Sequence, residues 1–204
     1  GIHSVNVSLD SLRKERNLSI SGRDEFDRVT QNINLLLKND FHVKVNVVVM
    51  KGMNDDEIPD FVEWTKHQPV HVRFIEFMPF AGNQWTNEKV FTYGEMLELI
   101  AERYDFSKLP NDKNDTAKKY LVPNHRGSFA IISSMSQPFC SGCNRIRLTT
   151  DGKMKNCLFS KSEIDILGGL RNGLDIVPLI KQCLFDKKEV RGGQFSTIYE
   201  NIDA

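Results

Sequence analysis

Valine fills positions 43, 45, 47, 48 and 49 within the run Phe41 to Met50, and no other stretch constrains the fold of this 204-residue chain as strongly. Such density of β-branched side chains is expected where a strand is buried on both faces, as inside a parallel sheet. Lys44 and Asn46 interrupt the run on one face. A buried ammonium needs an anionic partner or ligand; the alternative is that Lys44 stands in solvent at the mouth of the strand. Upstream, Val5, Val7 and Leu9 alternate with Asn6, Ser8 and Asp10, which predicts a strand over 1–10. Between the two strands, Phe26, Val29, Ile33, Leu36 and Leu37 recur at helical spacing over 23–39.

The alternation continues downstream. Asn54 followed three residues later by Glu57 is a helix-start signature, with Ile58, Phe61, Val62 and Thr65 on one face. Past Pro69, Val70 to Phe77 reads as a third strand that runs out at Met78-Pro79-Phe80. Strand, helix, strand, helix, strand is the rhythm of a parallel sheet with right-handed crossovers, in a barrel or an open sheet. In barrels the working residues stand at the carboxyl ends of the strands, here Ser8, Asp10 and Met78.

Thr92 and Glu95 form a second capping box, leading a helix that turns Met96, Leu97 and Ile100 inward. The polar loop 110–115 is the expected boundary between a first region, 1–109, and a tail, 110–204. In the tail, 119–122 and 128–133 read as antiparallel strands. Residues 176–185 read as a short helix that tolerates Pro178 in its first turn and keeps Cys183 in the core.

All four cysteines lie in the tail, and three of them fall within 139–159: Cys140 and Cys143 two residues apart, then Cys157. Asp151-Gly152, between Ile146-Arg147-Leu148-Thr149 and Lys153-Met154-Lys155, predicts a two-residue hairpin that returns Cys157 towards the pair. Spacing favours a metal over free thiols but leaves two centres open. Zinc needs a fourth ligand, with Cys183 or His125 available. A four-iron cluster is also held by cysteine thiolates and can leave one iron open. Arg145 and Arg147, two apart, are expected on one strand face with Ile146 packing on the other, and Lys153 and Lys155 repeat that alternation. Such guanidiniums suit a polyanionic ligand, although alternate charges also mark the solvated face of an ordinary hairpin.

Lys plus Arg and Asp plus Glu both number 27, a balance that argues against a nucleic-acid binder. No apolar run approaches a membrane span, and four cysteines without a small-domain disulfide framework suit a reducing cytoplasm.

The run Phe139-Cys140-Ser141-Gly142-Cys143-Asn144-Arg145-Ile146-Arg147, with Asp151-Gly152 and Cys157-Leu158-Phe159, resembles the carboxy-terminal cluster motif of the GTP 3',8-cyclase family, radical S-adenosylmethionine enzymes of molybdenum cofactor biosynthesis. The likeness extends upstream through Val7-Ser8-Leu9-Asp10, Val43-Lys44-Val45-Asn46 and Val72-Arg73-Phe74-Ile75-Glu76. It implies an α/β fold: the C-terminal half of a partial (βα)6 TIM-type barrel over 1–109, then an α+β tail whose antiparallel hairpin carries the cysteines. It also implies that the chain begins near the fourth repeat. The Cys-x3-Cys-x2-Cys loop for the S-adenosylmethionine-cleaving cluster, absent from these 204 residues, would precede it.

The resemblance further implies a [4Fe-4S] cluster on Cys140, Cys143 and Cys157, whose open iron receives the guanine base. GTP would be held by Lys44, Arg73, Arg145, Ile146 and Arg147, and S-adenosylmethionine would meet Ser8 and Met78. The implied reaction abstracts the ribose 3' hydrogen and joins that carbon to C8 of guanine, giving (8S)-3',8-cyclo-7,8-dihydroguanosine 5'-triphosphate. Implied partners are a second copy in a homodimer and, downstream, cyclic pyranopterin monophosphate synthase; neither nucleic acid nor membrane is expected. The 204 residues alone would present the substrate cluster without generating the radical. The alternative is a non-enzymatic structural zinc module. Gly192-Gly193 does not take the role of the family's terminal glycine pair, because residues follow it, and it reads as a flexible linker turn.

Overall fold

The computed structural model describes residues 1–194. It divides into two compact units, one built from Gly1–Met78 with Glu88–Gln137, the other from Pro79–Asn87 with the residues from Pro138 onward.

The first unit is a mixed α/β sheet. Strands β1 (Ser4–Ser8), β2 (His42–Val49) and β3 (His71–Glu76) run parallel in that order. Two short strands follow, β4 (Ser107–Lys108) and β5 (Lys118–Leu121), then β6 (Ser128–Ile132). Strand β6 joins β3 in parallel, and β5 and β4 continue the sheet antiparallel, in the order β1-β2-β3-β6-β5-β4. The expected break at 110 therefore falls inside this unit: the strands assigned to the tail complete the first unit's sheet.

The valine run is buried on one face, not two. Val43, Val45, Val47 and Val49 are at most 1% exposed, whereas Lys44, Asn46 and Val48 on the other face are half-buried. Helices α2 (Phe26–Lys38), α3 (Ile58–His67) and α4 (Tyr93–Ala101) supply the residues packed with the buried face. Ile33, Ile58, Phe61, Met96 and Ile100 are fully buried in the same core. A short helix α1 (Lys14–Ser21), without an apolar stripe and absent from the sequence reading, precedes α2.

Two buried carboxylates brace the loops of this unit. Glu57 accepts from Ser11 Oγ at 2.8 Å, the Leu12 N–H at 2.7 Å and Arg16 at 2.7 Å. Glu76 accepts from the backbone of Tyr93, Met135 and Ser136 at 2.6–2.9 Å, and from the Ser136 hydroxyl. Thr92 and Glu95 form the predicted capping box. Asn54 does not cap: its side chain accepts from the Met50 N–H at 2.8 Å and donates to the carbonyls of Asp10 and Val48, closing the end of β2.

In the second unit, β7 (Arg147–Leu148), β8 (Lys153–Lys155) and β9 (Ile164–Asp165) form an antiparallel sheet. Helices α5 (Ile166–Arg171) and α6 (Val177–Phe185) follow. The β7–β8 connection is a three-residue loop, Thr150 to Gly152, because the Thr149 N–H already donates to the Lys153 carbonyl and the Thr149 hydroxyl accepts from the Lys153 N–H. Gly152 takes the left-handed position at φ +82°, as the last residue of such a loop requires. Cys183 is 3% exposed and packs with Met154 and Ile166, the core position expected for it. Among the described residues no helix is long and apolar enough to cross a membrane.

Candidate functional site

The polar face of the first sheet carries one set of candidate residues. Parallel register places Ser8 beside Asn46 and Asn46 beside Arg73, while the row below sets Asn6, Lys44, His71 and Ser128 side by side. Side chains alternate along a strand, so all of these except the helix-facing positions share one face. Arg73 is held across three strands: its Nε donates to Asn46 Oδ1 and its terminal nitrogen to Asn6 Oδ1, both at 2.8 Å. Partial burial pulls its pKa below the ordinary value. The structure thus brings Ser8, Lys44 and Arg73 onto one surface, with Lys44 half-buried there. Met78 stands half-buried two residues past the carboxyl end of β3. Asp10 is a brace: Oδ1 accepts from the Val48 N–H at 2.8 Å, and burial pushes its carboxyl up against that bond.

No local signal marks the histidine pair at the other end of this face. His42 and His71 lie with ring centroids 4.3 Å apart, and His71 Nδ1 meets Ser128 Oγ at 2.6 Å. Burial first, then the neighbouring His42 and Lys44, bring the His71 pKa down to about 4. Nor were Asn6 and Asn46 legible as the residues that orient Arg73, since only the register of three separate strands makes them neighbours.

The second unit carries the thiols. Cys140 and Cys143 share one turn of 3-10 helix closed by the Cys143 N–H on the Cys140 carbonyl at 3.0 Å. Arg145 precedes β7 and is not part of a strand, so the two-residue alternation does not fix its direction. Its guanidinium lies 4.8 Å from the Phe139 ring centre and 3.6 Å from Cys143 Sγ. Arg147 is exposed in β7 opposite Lys155. Ile146 is 45% exposed, so it does not pack beneath them as expected. Lys153 and Lys155 are committed to carboxylates, Lys153 to Asp151 and Glu163 and Lys155 to Glu163.

Donors stand at two of the sulfurs, and cationic ones at Cys143. Lys187 Nζ lies 3.4 Å from Cys143 Sγ, and the Arg191 N–H donates to Cys140 Sγ at 3.4 Å. Burial pushes the Cys143 thiol up, but the Arg145 backbone and guanidinium and the Lys187 ammonium outweigh it and hold the thiol below its ordinary value. Cys157 begins the segment in which Gln194 Nε2 donates to the Phe159 carbonyl at 2.8 Å. Gly192 packs there too: a Cβ on it would stand 2.8 Å from the Phe159 carbonyl carbon. The glycine pair is therefore a seated turn and not a loose linker, although the run 195–204 beyond it lies outside the described residues.

All four cysteines are free thiols, and among the described residues no three of His, Cys, Asp or Glu converge as they would on one metal ion. Thiolates with N–H donors at their sulfurs are a donor set whose chemistry fits an iron–sulfur group, each thiolate taking its own iron.

A family model described as Molybdenum Cofactor Synthesis C matches residues 70–192, and one described as Radical SAM superfamily matches 1–65. The chain is 44% identical over 173 residues to "Molybdenum cofactor biosynthesis protein 1" of Drosophila melanogaster, covering 84% of this chain and 31% of that protein. It is 42% identical over 177 residues to "GTP 3',8-cyclase, mitochondrial" of Arabidopsis thaliana, covering 86% and 45%. With "GTP 3',8-cyclase" of Clostridium botulinum the identity is 37% over 188 residues, covering 92% and 58%. The chain thus spans between about a third and three-fifths of the length of these curated relatives.

Proposed function

The chain belongs to the Molybdenum Cofactor Synthesis C family, and from that premise we propose that it is the C-terminal part of a GTP 3',8-cyclase, acting in the first step of molybdenum cofactor biosynthesis. The observation that carries the reading is the thiol turn, where Cys140 and Cys143 sit together with an N–H donor on each sulfur. On this reading Cys140, Cys143 and Cys157 hold a [4Fe-4S] cluster that leaves one iron without a protein ligand. The first unit is the C-terminal half of a partial (βα)6 barrel whose polar face is the wall of the substrate chamber. The parent enzyme is a homodimer in a reducing compartment such as the cytoplasm, and its product goes to cyclic pyranopterin monophosphate synthase.

Division of labour follows from charge and position. Arg73, fixed by Asn6 and Asn46, presents a guanidinium of set direction to the triphosphate, and Lys44 adds a second charge on the same face. Arg145 and Arg147, with the backbone of Ile146 between them, clamp the nucleotide beside the thiols. Ser8 and Met78, at the carboxyl ends of β1 and β3, contact S-adenosylmethionine. S-adenosylmethionine and the cluster that cleaves it would supply the radical chemistry when bound. The chain described here holds sugar and base in one geometry.

The alternative, a structural zinc module, is less well served. A structural zinc needs a fourth protein ligand beside the three thiols of the motif. Of the spare ligands, Cys183 is packed in an apolar core.

Anaerobic reconstitution tests the proposal. About four iron and four sulfide per chain, lost in Cys157→Ser, are expected, together with a change in the cluster's electron paramagnetic resonance signal on adding GTP. Arg73→Ala should weaken GTP binding roughly ten- to a hundredfold, the worth of a charge-assisted contact. Colourless protein with one zinc per chain after anaerobic purification, or turnover of GTP by the 204 residues alone, overturns it.

A further inference from the structure

The segment from Cys183 to Gln194 reaches both halves of the cysteine motif. At its start, the buried Asn156, next to Cys157, donates Nδ2 to the Cys183 carbonyl at 2.9 Å. At its end, Gln194 donates to the Phe159 carbonyl. Between these anchors, Arg191 gives its backbone N–H to Cys140 Sγ, and Lys187 reaches Cys143, the other thiol of that pair. The turn that permits this runs through Arg191, Gly192 and Gly193 at φ +45°, +61° and +89°.

Lys187 is the charged member of this clip. Its ammonium donates to the Arg145 carbonyl at 2.8 Å and the Cys143 carbonyl at 3.2 Å, and lies 3.4 Å from Cys143 Sγ. All three donor positions of the ammonium are thereby directed at one loop. The side chain is half-buried and launched directly from the end of α6, whose register the Cys183 packing fixes.

We propose that Lys187 is a positioning residue for the cluster of the preceding reading: it fixes the Cys143–Arg145 backbone and, as an N–H donor to the Cys143 sulfur, raises the cluster's reduction potential. The physical ground is that one-electron reduction adds negative charge to the cluster and its thiolates. Hydrogen bonds and positive charge at the sulfurs stabilise the reduced form more than the oxidised one. Nothing in the linear sequence marks Lys187, one of two adjacent lysines after a short helix. Only the fold returns it to a loop 44 residues earlier.

The test compares the anaerobically reconstituted chain with Lys187→Met, which keeps length and loses donor and charge, and with Lys187→Arg, which restores both. Iron and sulfide content and the midpoint potential from a spectroscopic redox titration are the readouts. Lys187→Met should hold iron and sulfide with a midpoint shifted to more negative potential, and Lys187→Arg should recover most of the shift. Loss of iron in Lys187→Met with recovery in Lys187→Arg also supports the assignment. An unshifted midpoint in Lys187→Met overturns it, and so does equal loss of iron in both variants, which would make 187 a packing position. If the unsubstituted chain takes up no iron and sulfide, the cluster reading fails first and this proposal falls with it.

Discussion

The two units are stabilised by different means. In the first, a sheet of parallel and antiparallel strands buries an unbroken set of aliphatic and aromatic side chains, and two fully buried carboxylates anchor its loops. Among the described residues of the second, one buried apolar cluster consists of Met154, Ile166 and Cys183 with four partly buried neighbours, and Phe159 is buried apart from it. Leu148, Leu170, Leu174 and Phe185 are more than half exposed there. The difference teaches where order comes from: hydrophobic burial dominates the first unit, whereas among the described residues of the second the apolar cluster is smaller and polar bonds around the thiols carry more of the order.

Paired truncations break or sharpen that contrast most strongly. Phe61→Ala should cost about 3–5 kcal/mol, as for a fully buried aromatic, while Phe185→Ala, at an 88% exposed position, should change stability by less than about 0.5 kcal/mol. Urea unfolding read by Trp64 fluorescence in a Trp85→Phe background checks the first unit, since Trp64 packs on its core. A large loss from Phe185→Ala would show that the exposed face is covered in solution.

A smaller effect is expected at the buried carboxylate. Glu76→Gln turns an amide NH2 towards backbone donors and should cost the first unit roughly 2–3 kcal/mol in the same assay, the penalty for buried N–H groups left without an acceptor. No loss would mean that Tyr93, Met135 and Ser136 find other acceptors.

The smallest effect is a pH dependence. His71 is held neutral, its folded pKa of about 4 lying below the ordinary 6.5. The unfolded chain then binds the extra proton between those values, so stability is full above pH 6.5 and falls as pH drops towards 4. With screening at a half-buried site the loss is about 1–2 kcal/mol. Urea midpoints at several pH values should show it, and His71→Asn should flatten the slope.

Particular residues show how far the chain could be read in advance. The helix stripe at Phe26, Ile33 and Leu37, the Thr92–Glu95 box and the buried Cys183 are local or periodic signals, and each is found as expected. The antiparallel pairing of 118–121 with 128–132 is found as expected, but the parallel pairing of 128–132 with β3 was not legible, because it depends on a contact 57 residues away in sequence. Asn54 resembled a helix cap and Asp10 a working residue at a strand end, yet both close the end of β2. A short polar side chain carries no mark of which backbone group it will meet.

By itself the sequence determined the alternation of strands and helices, the placing of three thiols in one motif and the kinship that motif carries, since these depend on spacing along the chain. Tertiary structure alone decided that Asn6 and Asn46 aim Arg73, that the valine run has one wet face, and that Lys187 returns to Cys143. Those outcomes rest on register and on the partners that separate segments meet when they pack, and no periodicity within a single segment encodes them.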